Sequence, residues 1–188
     1  FYSTNHKRKA LVGNIIVALL TSLVVLIVIF YEPNLLQQNL LPEQIDLCAV
    51  ILKFAFVYFL FSFLISLIRE IVKDMEDMNG DEQNGCRTLP IIWGIKKTKM
   101  LVYFLIVLTF ALLIGIQIYW QQNQFDIKIV FYLDALILFP LVASLYFLSK
   151  AKFQKDFSAV SSLMKFIMLA GIFSMAVLYF TIFKNLVS

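Results

Sequence analysis

Residues 50–68 read VILKFAFVYFLFSFLISLI, and residues 69–94 continue REIVKDMEDMNGDEQNGCRTLPIIWG. The first part is apolar over roughly the ~20 helical residues that cross a hydrocarbon core. The second part is dense in acids, within a chain that is otherwise mostly apolar. At ~100° per residue on a helix, Glu70, Asp74, Asp77 and Asp81 fall within an arc of roughly 60°. Glu76 and Glu82 point elsewhere. The spacing predicts a stripe of four carboxylates at the end of a membrane helix. Asn79-Gly80 offers an earlier stop, which would leave Asp81 in the turn beyond.

Such a stripe is unfavourable alone. Like charges at i,i+4 repel, and a helix C-terminus already carries partial negative charge. Arg69, Lys73 and Arg87 supply part of the countercharge. A divalent cation would supply the rest. A carboxylate-rich, sulfur-poor set suits Mg²⁺, which keeps several waters and bridges a few carboxylates to substrate phosphates. The competing reading is a solvated charged loop after a membrane helix. The single-face spacing and the interleaved bases favour the cation site.

Hydrophobic residues make up 61% of the chain and charged residues 15%, too apolar a balance for a soluble domain of this size. Five windows reach bilayer length: Leu11–Tyr31, Leu47–Ile68, Leu101–Trp120, Ile129–Leu148 and Leu163–Phe183. The expectation is a single all-α transmembrane domain over 1–188, a multi-pass bundle with helices at 11–31, 47–78, 99–121, 129–149 and 162–185. The first window is too long for a signal peptide and no small-residue cleavage site follows it.

The basic residues orient the bundle. One side holds Lys7, Arg8 and Lys9, then Arg69, Lys73, Arg87, Lys96, Lys97 and Lys99, then Lys150, Lys152, Lys155 and Lys165. The other holds Lys128 and Lys184, with Lys53 near that end of the second helix. The positive-inside rule makes the first side cytoplasmic, so the acidic stripe faces the cytoplasm. The net charge of +4 is then a topology signal, with no nucleic-acid partner implied.

Other features have smaller readings. His6 reads as an exposed interface residue. Lys7 and Arg8 read as a topology anchor or as phosphate contacts. Gly13-Asn14 opens the first helix and allows close packing. Cys48 and Cys86 sit at opposite ends of the topology and cannot pair. Gly85, Pro90 and Gly94 imply a sharply folded loop, in which Arg87 can reach a phosphate oxygen. Asp134 is an intramembrane acid, expected to pair with Lys53. Pro140 is expected to kink the fourth helix. Ala170-Gly171 and Ser174 offer a small contact face on the last helix.

The run Arg69-Glu70, Lys73-Asp74, Glu76-Asp77, Gly80-Asp81, Gly85, Arg87-Thr88-Leu89-Pro90 resembles the second aspartate-rich motif of the UbiA-type intramembrane prenyltransferases. The branch it is most similar to is the geranylgeranylglycerol-phosphate geranylgeranyltransferases. Tyr2-Ser3, Lys7-Arg8 and Gly13-Asn14 resemble that family's entry to its fifth helix, one helix upstream of the acidic motif. The resemblance implies nine membrane helices in the complete protein, of which these five would be the second half. It implies Mg²⁺ held against the diphosphate of a prenyl donor, with Asp74, Asp77 and Asp81 as the matching acids. Lys7, Arg69, Lys73 and Arg87 match bases near phosphate groups, and Tyr2 matches a tyrosine near the donor. The acceptor it implies is geranylgeranylglyceryl phosphate or a related lipid alcohol. An aromatic acceptor of the quinone, haem or chlorophyll type is the alternative. The family's first aspartate-rich motif is absent from this sequence, so no activity is expected from these residues alone.

Readings from other classes fit less well. A CDP-alcohol phosphotransferase would want an Ala-Arg pair within its acidic motif, and none occurs here. A cation transporter would want charges at the midplane of several helices, where only Asp134 approaches. A non-catalytic membrane assembly protein stays open at this point.

Overall fold

A computed structural model describes the backbone of residues 11–31, 42–122 and 127–187, and side chains at 11–27, 51–119, 130–178 and 180. The elements are α1 (Val12–Tyr31), α2 (Pro42–Gln83), α3 (Leu89–Gln122), α4 (Ile127–Leu133), a π-helical turn (Asp134–Leu138), α5 (Phe139–Lys150) and α6 (Gln154–Val187). No strand occurs among the described residues. Four stretches are long and apolar enough to cross a membrane: Ile51–Gln83, Leu89–Tyr119, Val130–Lys150 and Gln154–Leu178. A shorter apolar stretch, Val12–Ile27, lies in α1. Phe131 and Phe139 are each 73% exposed, a surface suited to lipid rather than water. The fold is the all-α membrane bundle that the apolar windows predict.

Helix α2 organises the bundle, packing against α1, α3 and α6. It has 42 residues. At 1.5 Å per residue that is about 63 Å, twice a hydrocarbon core of ~30 Å. The helix must therefore project beyond the apolar layer, and the end that projects past Ile68 is its charged one. Ile68, Ile71, Val72 and Met75 are all within 1% of full burial. They recur at i, i+3, i+4 and i+7, the core stripe of an amphipathic helix. They join Leu89 and Ile106 of α3 and Phe157 and Met164 of α6 in one core. On the helix wheel this stripe lies roughly 140° from the middle of the carboxylate arc, so core and acids take different faces of one rod.

The helix does not stop at Asn79-Gly80. It continues to Gln83 and ends on Gly85, whose φ is 67°. The Gly85 N–H donates to Glu82 O at 3.1 Å and the Cys86 N–H to Asp81 O at 2.8 Å. These two bonds close a Schellman cap, which favours glycine at its left-handed position. A glycine inside a helix costs only about 1 kcal/mol, so Gly80 is passed and Gly85 ends the run.

Helix α3 starts at Leu89, well before residue 99, so Lys96, Lys97 and Lys99 are helical. Thr88 O accepts from Ile91 N at 3.2 Å and Ile92 N at 3.1 Å. Pro90 lies in this first turn, where its missing N–H breaks no helical bond. Gly94, at φ 78° and ψ 156°, bends the helix in a region essentially reserved for glycine.

The fourth apolar window is interrupted by the π-helical turn Asp134–Leu138, while Pro140 is accommodated at the start of α5. The irregularity thus precedes the proline expected to cause it. Asp134 does not pair with Lys53: its Oδ1 accepts from Gln117 Nε2 at 2.9 Å. A neutral amide from α3 thus supplies the hydrogen bond that a lysine was expected to give. Tyr58 and Ser174 share a hydrogen bond of 2.7 Å between α2 and α6. A Cβ placed on Gly171 would meet Phe61 Cε1 at 3.7 Å, so the small face of α6 does pack on α2. Helix α6 begins at Gln154 rather than near 162, because the Asp156 carboxylate accepts from the N–H groups of Lys152 (2.8 Å) and Phe153 (2.9 Å).

Candidate functional site

Four chain segments meet at the charged end. Asn14 Nδ2, in the first turn of α1, donates to Asp74 Oδ2 near the end of α2 at 2.7 Å. Residues 84–88 lead directly from α2 into α3. Lys99 of α3 donates to Ala151 O in the α5–α6 corner, and its ammonium lies 5.4 Å from the centre of the Phe157 ring. The start of α1, the end of α2, the start of α3 and the α5–α6 corner therefore lie at one end of the bundle.

Because α2 runs unbroken to Gln83, Glu70, Asp74, Asp77 and Asp81 all lie on one helix, including the acid that an earlier stop would have left in a turn. Asp74 is half-buried, and the charges of Asp81, Glu70 and Asp77 all bear on it. Glu70 and Asp81 are partly buried and Asp77 is exposed. Arg69 Nη1 lies 2.5 Å from Glu70 Oε1, so this arginine is engaged by its neighbour on the stripe. Lys73 and Arg87 are exposed at the same end. Tyr2 and Lys7 lie outside the described residues.

Does this set suit Mg²⁺? Among the described residues, no group of three or more His, Cys, Asp or Glu side chains comes together so as to hold a metal ion. A Mg²⁺ ion on the stripe would draw on one or two of these carboxylates at a time, with waters and substrate phosphates completing its shell. The donors are hard oxygens bearing like charges. Ser66, one turn before Glu70 on the same face, is 3% exposed, and its Oγ has no partner among the described residues. Thr88 Oγ1, beside Arg87, is also buried without one. A buried hydroxyl left unpaired costs about 1–3 kcal/mol, so both groups suit a site completed by a polar ligand.

Sequence reasoning found the carboxylates and missed the contact that fixes one of them. Asn14 reads from sequence as a small residue at a helix start. Its partner is 60 positions away, and no local pattern announces such a bond. Glu70 was legible as part of the stripe, but its capture of Arg69 was not, since side chains at i and i+1 do not usually face each other on a helix.

The sequence model of the UbiA prenyltransferase family matches residues 1–169. A digeranylgeranylglyceryl phosphate synthase from Methanosphaera stadtmanae is 31% identical over 176 residues, covering 93% of this chain and 57% of the relative. The protein of that name from Thermococcus sibiricus is 32% identical over 138 residues, covering 73% of this chain and 42% of the relative. The one from Saccharolobus solfataricus is 27% identical over 175 residues, covering 89% and 55%. The chain thus spans about half the length of the curated relatives it matches. No solved structure matches it significantly.

Proposed function

The chain belongs to the UbiA prenyltransferase family, and from that premise we propose that it is the C-terminal half of an integral membrane enzyme that transfers a prenyl group from a prenyl diphosphate. The acceptor is geranylgeranylglyceryl phosphate or a related lipid alcohol. The observation that carries the reading is the stripe Glu70, Asp74, Asp77 and Asp81 on one unbroken helix at the charged end of an apolar bundle. The names of the three relatives support the glycerophosphate acceptor.

In this account carboxylates of the set Asp74, Asp77 and Asp81 would hold Mg²⁺, with waters and substrate phosphates completing its shell. Bound there, the ion neutralises the charge that builds on the departing diphosphate. Lys73 and Arg87, with Lys7 and Tyr2 from the lead and Arg69 beside them, bind and orient the phosphate groups. Arg69 must share itself with Glu70. The buried apolar faces of α2, α3 and α6 keep water from the allylic carbon while its C–O bond to diphosphate breaks, the acceptor oxygen forms the new C–O bond, and the hydroxyl proton leaves with the diphosphate. The carboxylates bind metal in this scheme and do not act as nucleophiles. The excess of Lys and Arg at this end supports a cytoplasmic orientation. In this account the remaining helices and the first acidic motif, which this sequence lacks, belong to another part of the full-length protein.

A test uses the full-length protein with labelled geranylgeranyl diphosphate. With Mg²⁺ and geranylgeranylglyceryl phosphate it should release diphosphate and form an ether product, and chelation with EDTA should stop both. Product formed only on a hydroxybenzoate-type acceptor would move the chain to the aromatic branch. No diphosphate release with either acceptor would refute prenyl transfer.

A further inference from the structure

We propose that the start of α3 and the α5–α6 corner form a binding surface for the anionic headgroups of phospholipids in the leaflet at this end of the bundle. Such a surface needs only a bundle that spans a bilayer and is independent of prenyl transfer. Residues 151–153 join Val130–Lys150 to Gln154–Leu178, two stretches each long and apolar enough to cross a membrane. Three extended residues reach only about 10 Å, so the corner stays at the membrane surface. Phe153 is 75% exposed there, between the exposed Lys152 and Lys155. A ring flanked by lysines suits this boundary, with the ring toward acyl chains and the ammonium groups toward headgroups. Lys99 brings α3 to the same place. It donates to Ala151 O, and its ammonium lies 5.4 Å from the centre of the Phe157 ring. Lys96 and Lys97, within one turn of Lys99 and exposed, therefore lie beside the corner. The exposed Ile92 and Trp93 precede them, repeating the pairing of apolar and cationic side chains.

The countercharge for these lysines is missing from the elements that carry them. Helices α3 and α5 contain no Asp or Glu, and α6 contains only Asp156. Asp156 is already engaged by the N–H groups of Lys152 and Phe153. Among the described residues, no ion pair involves Lys96, Lys97, Lys152 or Lys155. A topology signal asks only for positive charge near helix ends. It does not ask for exposed rings beside that charge, nor for two elements locked together. Anionic headgroups above acyl chains complement both features.

The test is electron paramagnetic resonance of the full-length protein in phosphatidylcholine bilayers carrying spin-labelled phosphatidylglycerol or spin-labelled phosphatidylcholine. The motionally restricted fraction gives the relative affinity. The wild-type protein should hold phosphatidylglycerol more tightly. That preference should fall as ionic strength rises from about 0.01 M to about 1 M and the screening length shortens from ~30 to ~3 Å. Lys96→Gln with Lys97→Gln, and separately Lys152→Gln with Lys155→Gln, should each lower it, by about 5-fold for each lysine removed. The matching Lys→Arg pairs should retain it. Changing two lysines at a time keeps most of the basic excess that orients the bundle. If one Gln pair fails to insert, the other pair and the wild-type salt dependence decide. Equal affinity for the two lipids overturns the proposal, as does a phosphatidylglycerol preference that neither salt nor a Gln pair lowers. So does a Gln pair that leaves phosphatidylglycerol binding unchanged but raises KM for geranylgeranyl diphosphate, which would assign these lysines to a substrate phosphate.

Discussion

Asp74→Ala in the full-length protein should lower Mg²⁺-dependent prenyl transfer by at least ~10²–10³-fold, the scale on which a single preorganised electrostatic group acts. Asp77→Ala should do the same. In Asp77→Ala the loss will not come from unfolding. The core stripe Ile68, Ile71, Val72 and Met75 lies on another face of α2, and alanine is the best helix former. Asp77 is exposed, and Asp74 carries the like charges of Asp81, Glu70 and Asp77. Removing one charge relieves repulsion between neighbouring turns, worth a few tenths of a kcal/mol, so thermal stability should hold or rise slightly in Asp77→Ala, whereas in Asp74→Ala the lost Asn14 hydrogen bond offsets that gain. Activity and stability therefore move apart, which a packing role would not produce. Turnover assayed beside thermal unfolding checks this, and unchanged turnover in either variant removes that residue from the metal site.

Arg87→Ala should raise KM for the prenyl diphosphate by about 10–100-fold, with a smaller change in kcat, because a charge-assisted hydrogen bond is worth ~1.5–3 kcal/mol and 1.4 kcal/mol is tenfold. Arg87 stands in a short connection anchored on both sides. Upstream, Gly85 and Cys86 bond back to Glu82 and Asp81; downstream, Thr88 O opens α3. The guanidinium is thus carried by a backbone with little freedom, close to the end of the acid stripe. Arg87→Lys should recover only part of the affinity, since an ammonium cannot bind two phosphate oxygens as a fork. A donor KM unchanged in Arg87→Ala would show that this connection does not clamp phosphate.

The membrane bundle was legible because apolar length is nearly sufficient to define a spanning helix. The acid stripe was legible because a 3.6-residue period converts spacing directly into a face. Helix ends were harder. Asn79-Gly80 and Gly85 are both plausible stops by residue type, and backbone hydrogen bonds around Gly85 decide between them. The early start of α6 depends on Asp156 capping two N–H groups. Pairings across helices were least legible. Asp134 finds Gln117, and Asp74 finds Asn14, through the packing of whole helices. Lys53 was the more obvious partner by charge, but the hydrogen bond is made by the Gln117 amide.

The most direct trial is the structure of the full-length protein with Mn²⁺ and an unreactive prenyl diphosphate analogue, the metal located by its anomalous scattering. The account predicts the ion within about 2.1–2.2 Å of carboxylate oxygens from the Asp74, Asp77 and Asp81 stripe, bridging them to a diphosphate oxygen. Diphosphate bound elsewhere, with those three side chains turned to solvent and no ion beside them, would contradict it.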